Sequence, residues 1–278
     1  MTILKMKKIS LIPLFLFSFL FLYSQEQDPV VVSDPKGAII IAQIEGEVSV
    51  INNLTGEALP TDRVKSGGLL FDGHTVKTGS NAKVVLLLSN GTVSTLKAES
   101  VLNIKKFTQS KFDPGTAKLS ELEGEPSSSD VLIDLNIGDM VVDIKKLDKK
   151  SSFNIDSPVG TAGIRGTRVG MNIQQAPGGG YTSKVTVPQG VISFTQPPPP
   201  PSPSGVAPPP PPEPVSVSAG QAVTPSVSST GTVSAPPVPA PAPPSDLAAI
   251  DADLDTAVAT TADVSVAEVS SAVNEVAA

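Results

Sequence analysis

No cysteine occurs in the 278 residues. That excludes a disulfide framework, a thiolate-ligated zinc or iron–sulfur site, a thiol nucleophile and a lipidated cysteine behind a leader. Tryptophan is also absent, and there are only two tyrosines and one histidine, His74. With so few stacking aromatics and a formal charge of −7, the chain lacks the basic, aromatic face of a nucleic-acid binder. Lys and Arg are missing altogether from Val185 to Ala278, a stretch that carries eight acids. The preceding residues are close to neutral.

No apolar run reaches the ~20 residues of a membrane-spanning helix. The longest, Ile9–Tyr23, follows Lys5, Lys7 and Lys8 and leads to Ser24. That order reads as a secretory leader, residues 1–24, with cleavage after Ser24. The alternative is a retained anchor, and only then is membrane contact expected. The expected location is therefore outside the cytoplasm: periplasm, cell envelope or medium.

What is present from about residue 38 to 195 is β-like. Short apolar runs recur every 8–12 residues between Gly, Asn, Asp and Ser, as in a sandwich, roll or barrel. Strands are expected at Ile39–Ile44, Glu47–Ile51, Thr75–Thr78, Lys83–Leu88, Thr92–Leu96, Val101–Ile104, Val131–Leu135 and Met140–Ile144. Others are expected at Ser152–Ile155, Arg168–Ile173, Lys184–Val187 and Val191–Thr195. Val84–Leu88 is apolar throughout, so both its faces should be covered. Phe153 and Ile155 alternate with Asn154 and Asp156, so that strand should have one wet face. Ser89-Asn90-Gly91-Thr92 reads as a type I′ hairpin turn. Residues 108–130 read as a long excursion.

Residues 196–244 hold 19 of the 28 prolines. Such runs favour extended polyproline II and act as semi-rigid spacers. Within them, 214–225 reads as one returning strand and turn. Residues 245–278 are rich in Ala, Val and Asp. Leu247, Ile250, Leu254 and Val258 have helical spacing, but no Lys or Arg supplies i,i+4 pairs. This acidic tail is expected to be disordered or marginally helical. The fold class is thus all-β: many short strands in a roll- or solenoid-like two-layer sandwich, followed by a disordered Pro-rich and acidic tail.

The run Ser157–Gly170, SPVGTAGIRGTRVG, invites a phosphate-loop reading, but its spacing fits neither the dinucleotide nor the Walker pattern. Its context points elsewhere. Gly46-Glu47-Val48 opens a strand, and Asp72-Gly73-His74-Thr75-Val76-Lys77-Thr78-Gly79 forms a turn and strand. A strand then ends in Asn90-Gly91-Thr92. Ser157-Pro158 leads into Arg165-Gly166-Thr167, and Gly190-Val191-Ile192 closes the series. In this order residues 38–225 resemble the FecR-like domain family, named for the ferric-citrate regulator. Val217-Ser218-Ala219-Gly220-Gln221 is similar to that family's terminal turn.

The resemblance implies an exported all-β domain with no catalytic centre, cofactor or metal. It also implies a structural signature at Arg165, Gly166, Thr167, Gly79, Asn90 and Gly91. Arg165, with five fixed donors, is expected to hydrogen-bond carbonyls at a buried corner. Two features depart from the family. His74 stands where an Asp is usual, and only eight residues precede the apolar run. A cytoplasmic, sigma-factor-controlling region therefore has no counterpart, and that regulatory role is not carried over.

Other constellations are weak. Ser66, Asp72 and His74 are close in sequence, but a triad is defined by geometry. His74, in a turn, is expected to face solvent. Asp251, Asp253 and Asp255 lack the Gly and Glu of a calcium loop and read as a solvated tail. Lys105-Lys106, Lys145-Lys146 and Lys149-Lys150 read as guards of sheet edges, or as contacts for an anionic envelope polymer. The expected function is a non-enzymatic binding or scaffolding module of the bacterial cell envelope, whose partner is a protein or an envelope polymer. The alternative is an anchored periplasmic accessory in signal transduction.

Overall fold

The structure, a computed structural model, describes residues 36–113, 115–199 and 212–277. The leader read at 1–24 and the centre of the proline run lie outside the described residues. The first strands are β1 (Ile39–Glu45), β2 (Val48–Asn52), β3 (Leu69–Leu70), β4 (His74–Thr78), β5 (Lys83–Leu88) and β6 (Val93–Leu96). Then come β7 (Val101–Gln109), β8 (Ser129–Asp143), β9 (Ser152–Ser157), β10 (Gly160–Ile164), β11 (Arg168–Gln175) and β12 (Tyr181–Gln189). The last are β13 (Val191–Thr195), β14 (Val215–Ser218), β15 (Gln221–Val223), β16 (Ser226–Val227) and β17 (Ala240–Pro241). Two helices follow, α1 (Pro244–Thr261) and α2 (Val266–Ala277).

The strands form two layers, which makes the all-β, two-layer reading hold. One layer runs β2-β4-β7-β8-β9-β10-β13-β14. The other runs β3-β1-β5-β6-β8-β11-β12-β15-β17, and β16 also pairs with β12. Only the β8–β9 pair among these is parallel. β8 belongs to both layers. Its first part pairs with β7, and its last residues pair with β6 and β11. The two strands expected at Val131–Leu135 and Met140–Ile144 are therefore one strand that turns a corner. Gly138 makes the corner: its φ is +105°, and a Cβ there would lie 2.0 Å from Ser100 Oγ.

The core lies between the layers. Ile39, Ile41, Leu86 and Leu88 from one face Val76, Leu102, Ile104 and Phe107 from the other. Phe153 and Ile155 are buried while Asn154 and Asp156 are half-buried, as the alternation requires. The turn after β5 differs from the expected type I′. Asn90 keeps a negative φ, and Gly91 alone is at +87°. Gly91 N–H donates to Leu88 O (2.8 Å), and Leu88 N–H donates to Thr92 O (2.9 Å). This is a three-residue loop with glycine in the left-handed position. The Asn90 carboxamide favours it by accepting from Thr92 N–H at 3.1 Å.

The proline run connects neighbours. β13 and β14 are antiparallel with Phe194 opposite Val215. The chain that leaves β13 therefore returns to the same sheet as β14, next to the strand it left. The tail beyond them holds two helices packed on the outer face of the second layer. Val85, Leu87 and Val93 meet Leu119, Ala257, Val266 and Val269 there, and Ala272 and Val273 meet Ala38. Pro244 suits the first turn of α1, where its missing N–H costs nothing. Ser265 and Glu268 form a capping box at α2: Ser265 N–H donates to the Glu268 carboxylate (2.7 Å) and Glu268 N–H donates to Ser265 Oγ (3.2 Å). The composition of this stretch argues for disorder. Tertiary packing and caps provide what intrinsic propensity lacks.

Candidate binding surface

The signature residues form structural corners. Thr167 is buried, and its hydroxyl donates to Val191 O at 3.1 Å. Gly166, at φ +71°, brings the backbone against Lys146. Gly91 lies under the Lys145 side chain, where an added Cβ would be 3.2 Å from Cδ. The segment of Lys145 and Lys146 thus brings Asn90-Gly91 and Arg165-Gly166-Thr167 to one corner. Gly79 is elsewhere, with its N–H donating to Glu47 O at 2.9 Å. Arg165 does donate to a carbonyl, Asp148 O, at 2.8 Å, but it is exposed. The buried role belongs instead to Asn90, whose Nδ2 donates to Ser129 Oγ at 3.0 Å. Ser129 Oγ in turn donates to Glu125 (2.6 Å), and Glu125 also accepts from Ser151 Oγ and from Asp148 N–H (2.7 Å). This network ties the 110–128 excursion to the sandwich.

His74 does not face solvent. It is 2% exposed, its ring lies 4.2 Å from that of Phe71, and its Nδ1 accepts from Phe71 N–H at 3.2 Å. The turn uses the imidazole as an acceptor for its own backbone, which requires the neutral ring. Burial pushes the His74 pKa down, Asp72 opposes the shift and Lys36 adds to it. Ser66 and Asp72 are committed elsewhere: Ser66 Oγ donates to Ala42 O (2.7 Å), and Asp72 pairs with Lys36 (3.3 Å). Among the described residues no group of three or more His, Asp or Glu is placed to hold a metal ion. Three of the six paired lysines are absorbed locally. Lys105 joins Asp134 and Asp156 (3.0 and 3.5 Å), Lys106 joins Asp130, and Lys145 donates to Leu122 O at 2.9 Å.

A large open groove of about 940 Å³ lies between the 60–68 loop and α2. Its floor includes Ile40, Ala42 and Leu69. One wall carries Asp62, Arg63 and Lys65, and the other carries Glu268, Ser271 and Glu275. The loop is braced by backbone bonds, Gly68 N–H to Lys65 O (2.8 Å) and Gly67 N–H to Ile41 O (2.8 Å). Its side chains are therefore presented on a fixed backbone. Arg63 and Lys65 make no ion pair with a described residue, unlike most cations on the sheets. Sequence reasoning missed this site. The only local signal was the Ser-x-x-Glu box at Ser265, which marks the start of the helix that forms one wall.

Residues 74–193 match the family described as FecR protein. The β domain is FecR-like. Two crystal structures from Parabacteroides distasonis ATCC 8503, each of a candidate anti-sigma factor, align with a TM-score of 0.39 at 12% identity. Each alignment covers 60% of this chain and 59% of the other, so this chain spans under two thirds of their length. No curated protein matches the chain. The matched FecR segment includes the signature corner and β4 to most of β13. It excludes α1, α2 and all the groove residues named above. Most of the groove lining lies outside the matched segment, and Leu87 lies inside it.

Proposed function

We propose that this chain is an exported, non-enzymatic binding module of the bacterial cell envelope, and that its ligand is a protein or an envelope polymer. The observation that carries the reading is the groove. It combines an apolar floor, a braced loop and two cations, Arg63 and Lys65, that form no ion pair with a described residue, beside the acids Asp62, Glu268 and Glu275. Such a mixed lining suits a macromolecular segment with both apolar and charged groups. The FecR-like domain supports a module connected with signal transduction, and the leader-like start supports export.

Two measurements test this. A mass beginning at Gln25 in the soluble envelope or medium fraction is the expected result for a free module. Full-length mass in the inner membrane would favour the anchored signalling accessory. A photocrosslinking residue at Ser271 should then capture one discrete envelope component, and Arg63→Glu with Lys65→Glu should abolish that product. Equal labelling from a crosslinker at Lys149, which does not line the groove, would defeat the groove assignment.

A further inference from the structure

The outer face of the second layer carries its own recognition pattern. Arg168 on β11 holds Asp143 through Nε (3.1 Å) and reaches Asp251 (3.2 Å) and Asp255 (2.8 Å) through Nη1. Lys97 pairs with Asp253 at 2.6 Å and stands 3.9 Å from Asp139. Lys184 on β12 pairs with Asp246. Near these three cations Gly170 leaves a notch, and Ile250 fills it. A Cβ on Gly170 would lie 2.6 Å from Ile250 Cδ1. This face thus selects a helix with one aliphatic anchor and acids spread around it.

The helix that sits there is held weakly for its length. α1 contains no Lys or Arg to support it internally. Only Leu254, Ala257 and Thr261 are buried along its eighteen residues. In the Lys97–Asp253 and Lys184–Asp246 pairs one partner is more than a third exposed. Such pairs are screened by salt and yield little net stability. The helix nevertheless stays in place because its tether keeps it at a high effective concentration.

We propose that this face is an interaction surface for an acidic amphipathic helix of a partner protein, and that α1 is its resident, displaceable occupant. The proposal rests on the reading of the chain as a binding module but uses a different surface from the groove. α2 forms one wall of the groove, so displacement of both helices opens one surface and dismantles the other.

The test uses the full chain and a fluorescent synthetic peptide of residues 243–262 as the competing helix. Saturable binding is expected, weakened about tenfold or more when salt rises from about 0.05 to about 0.5 M. Ile250→Ala in the chain loosens the resident helix and should tighten peptide binding severalfold. Gly170→Val fills the notch and should abolish it, while hydrogen exchange in β5 and β8 stays unchanged. No binding to either the wild-type or the Ile250→Ala chain overturns the proposal, as does binding that Gly170→Val leaves intact. Absence of groove crosslinking in the peptide-free chain, with peptide binding preserved, would count against the groove alone.

Discussion

Gly73 and Gly138 both have positive φ, at +87° and +105°, but their surroundings differ. A Cβ on Gly73 meets nothing within 4 Å, whereas one on Gly138 meets Ser100 Oγ at 2.0 Å and Ser100 Cα at 2.5 Å. Gly73→Ala should therefore cost only backbone strain, about 1–2 kcal/mol. Gly138→Ala adds a clash at the corner where β8 changes layers and should cost clearly more in urea unfolding; equal losses would show that the corner is not rigid. His74 gives a second test at this scale. Its pKa is lowered by burial from the ordinary 6.5, so the folded state favours the neutral ring. Its contribution to stability is complete above that ordinary value and is lost as pH falls through the lowered one. Thermal unfolding from about pH 8 to about pH 5.5 should show the loss, and His74→Gln should flatten that part of the curve. The sequence placed His74 in a turn, and the structure places it just after one, as the first residue of β4. It gave no sign that the ring serves the turn's own backbone, because that depends on the register of β4 against its neighbours.

At the scale of elements, local pattern was enough for most strands and insufficient for their connections. The alternation in Ser152–Asp156 and the unbroken apolar run in Val84–Leu88 report the number of covered faces, and both readings agree with the burial. The second of these implied a covering layer, which the sequence had offered only as a disordered or marginally helical tail. The cover is that tail. Its acids have no basic partners within the tail because their partners, Lys97, Lys118, Arg168 and Lys184, lie on the domain. Charge complementarity between residues 62 or more apart leaves no local trace. The proline run could be read from the sequence as a connector, but that it joins two neighbouring strands depends on pairing at Phe194 and Val215. Shortening a loop of this length to about four residues lowers its closure cost by about 1 kcal/mol. Replacing residues 198–212 with a four-residue turn should therefore raise stability by about that amount. The replacement keeps Gln196, whose Nε2 donates to Ser234 O at 3.2 Å. A fall in stability would mean that the proline run packs on the domain.

For the whole molecule, the question is how tightly the helical tail belongs to the sandwich. Ordering each residue costs roughly 1–2 kcal/mol in backbone entropy. Burying an aliphatic side chain returns roughly 1.5–3 kcal/mol, and α1 buries few. The net hold on the tail is thus a small difference between similar quantities, which places it at the low end of local stability. The sandwich does not share this weakness, because its core of Phe107, Phe153, Phe194 and the aliphatics around them lies between two hydrogen-bonded layers. Truncation after Ala242 removes both helices and leaves every core strand. The shortened chain should remain folded, with a modestly lower melting temperature. It should also bind an apolar dye and self-associate, because Val85, Leu87 and Val93 lose their cover. Hydrogen exchange on the full chain should show the same hierarchy, with α1 and α2 opening together before β5, β8 and β11. If the tail instead exchanges only with global unfolding, or its removal abolishes folding, the helices are an integral layer of the fold and have no freedom to yield their surface.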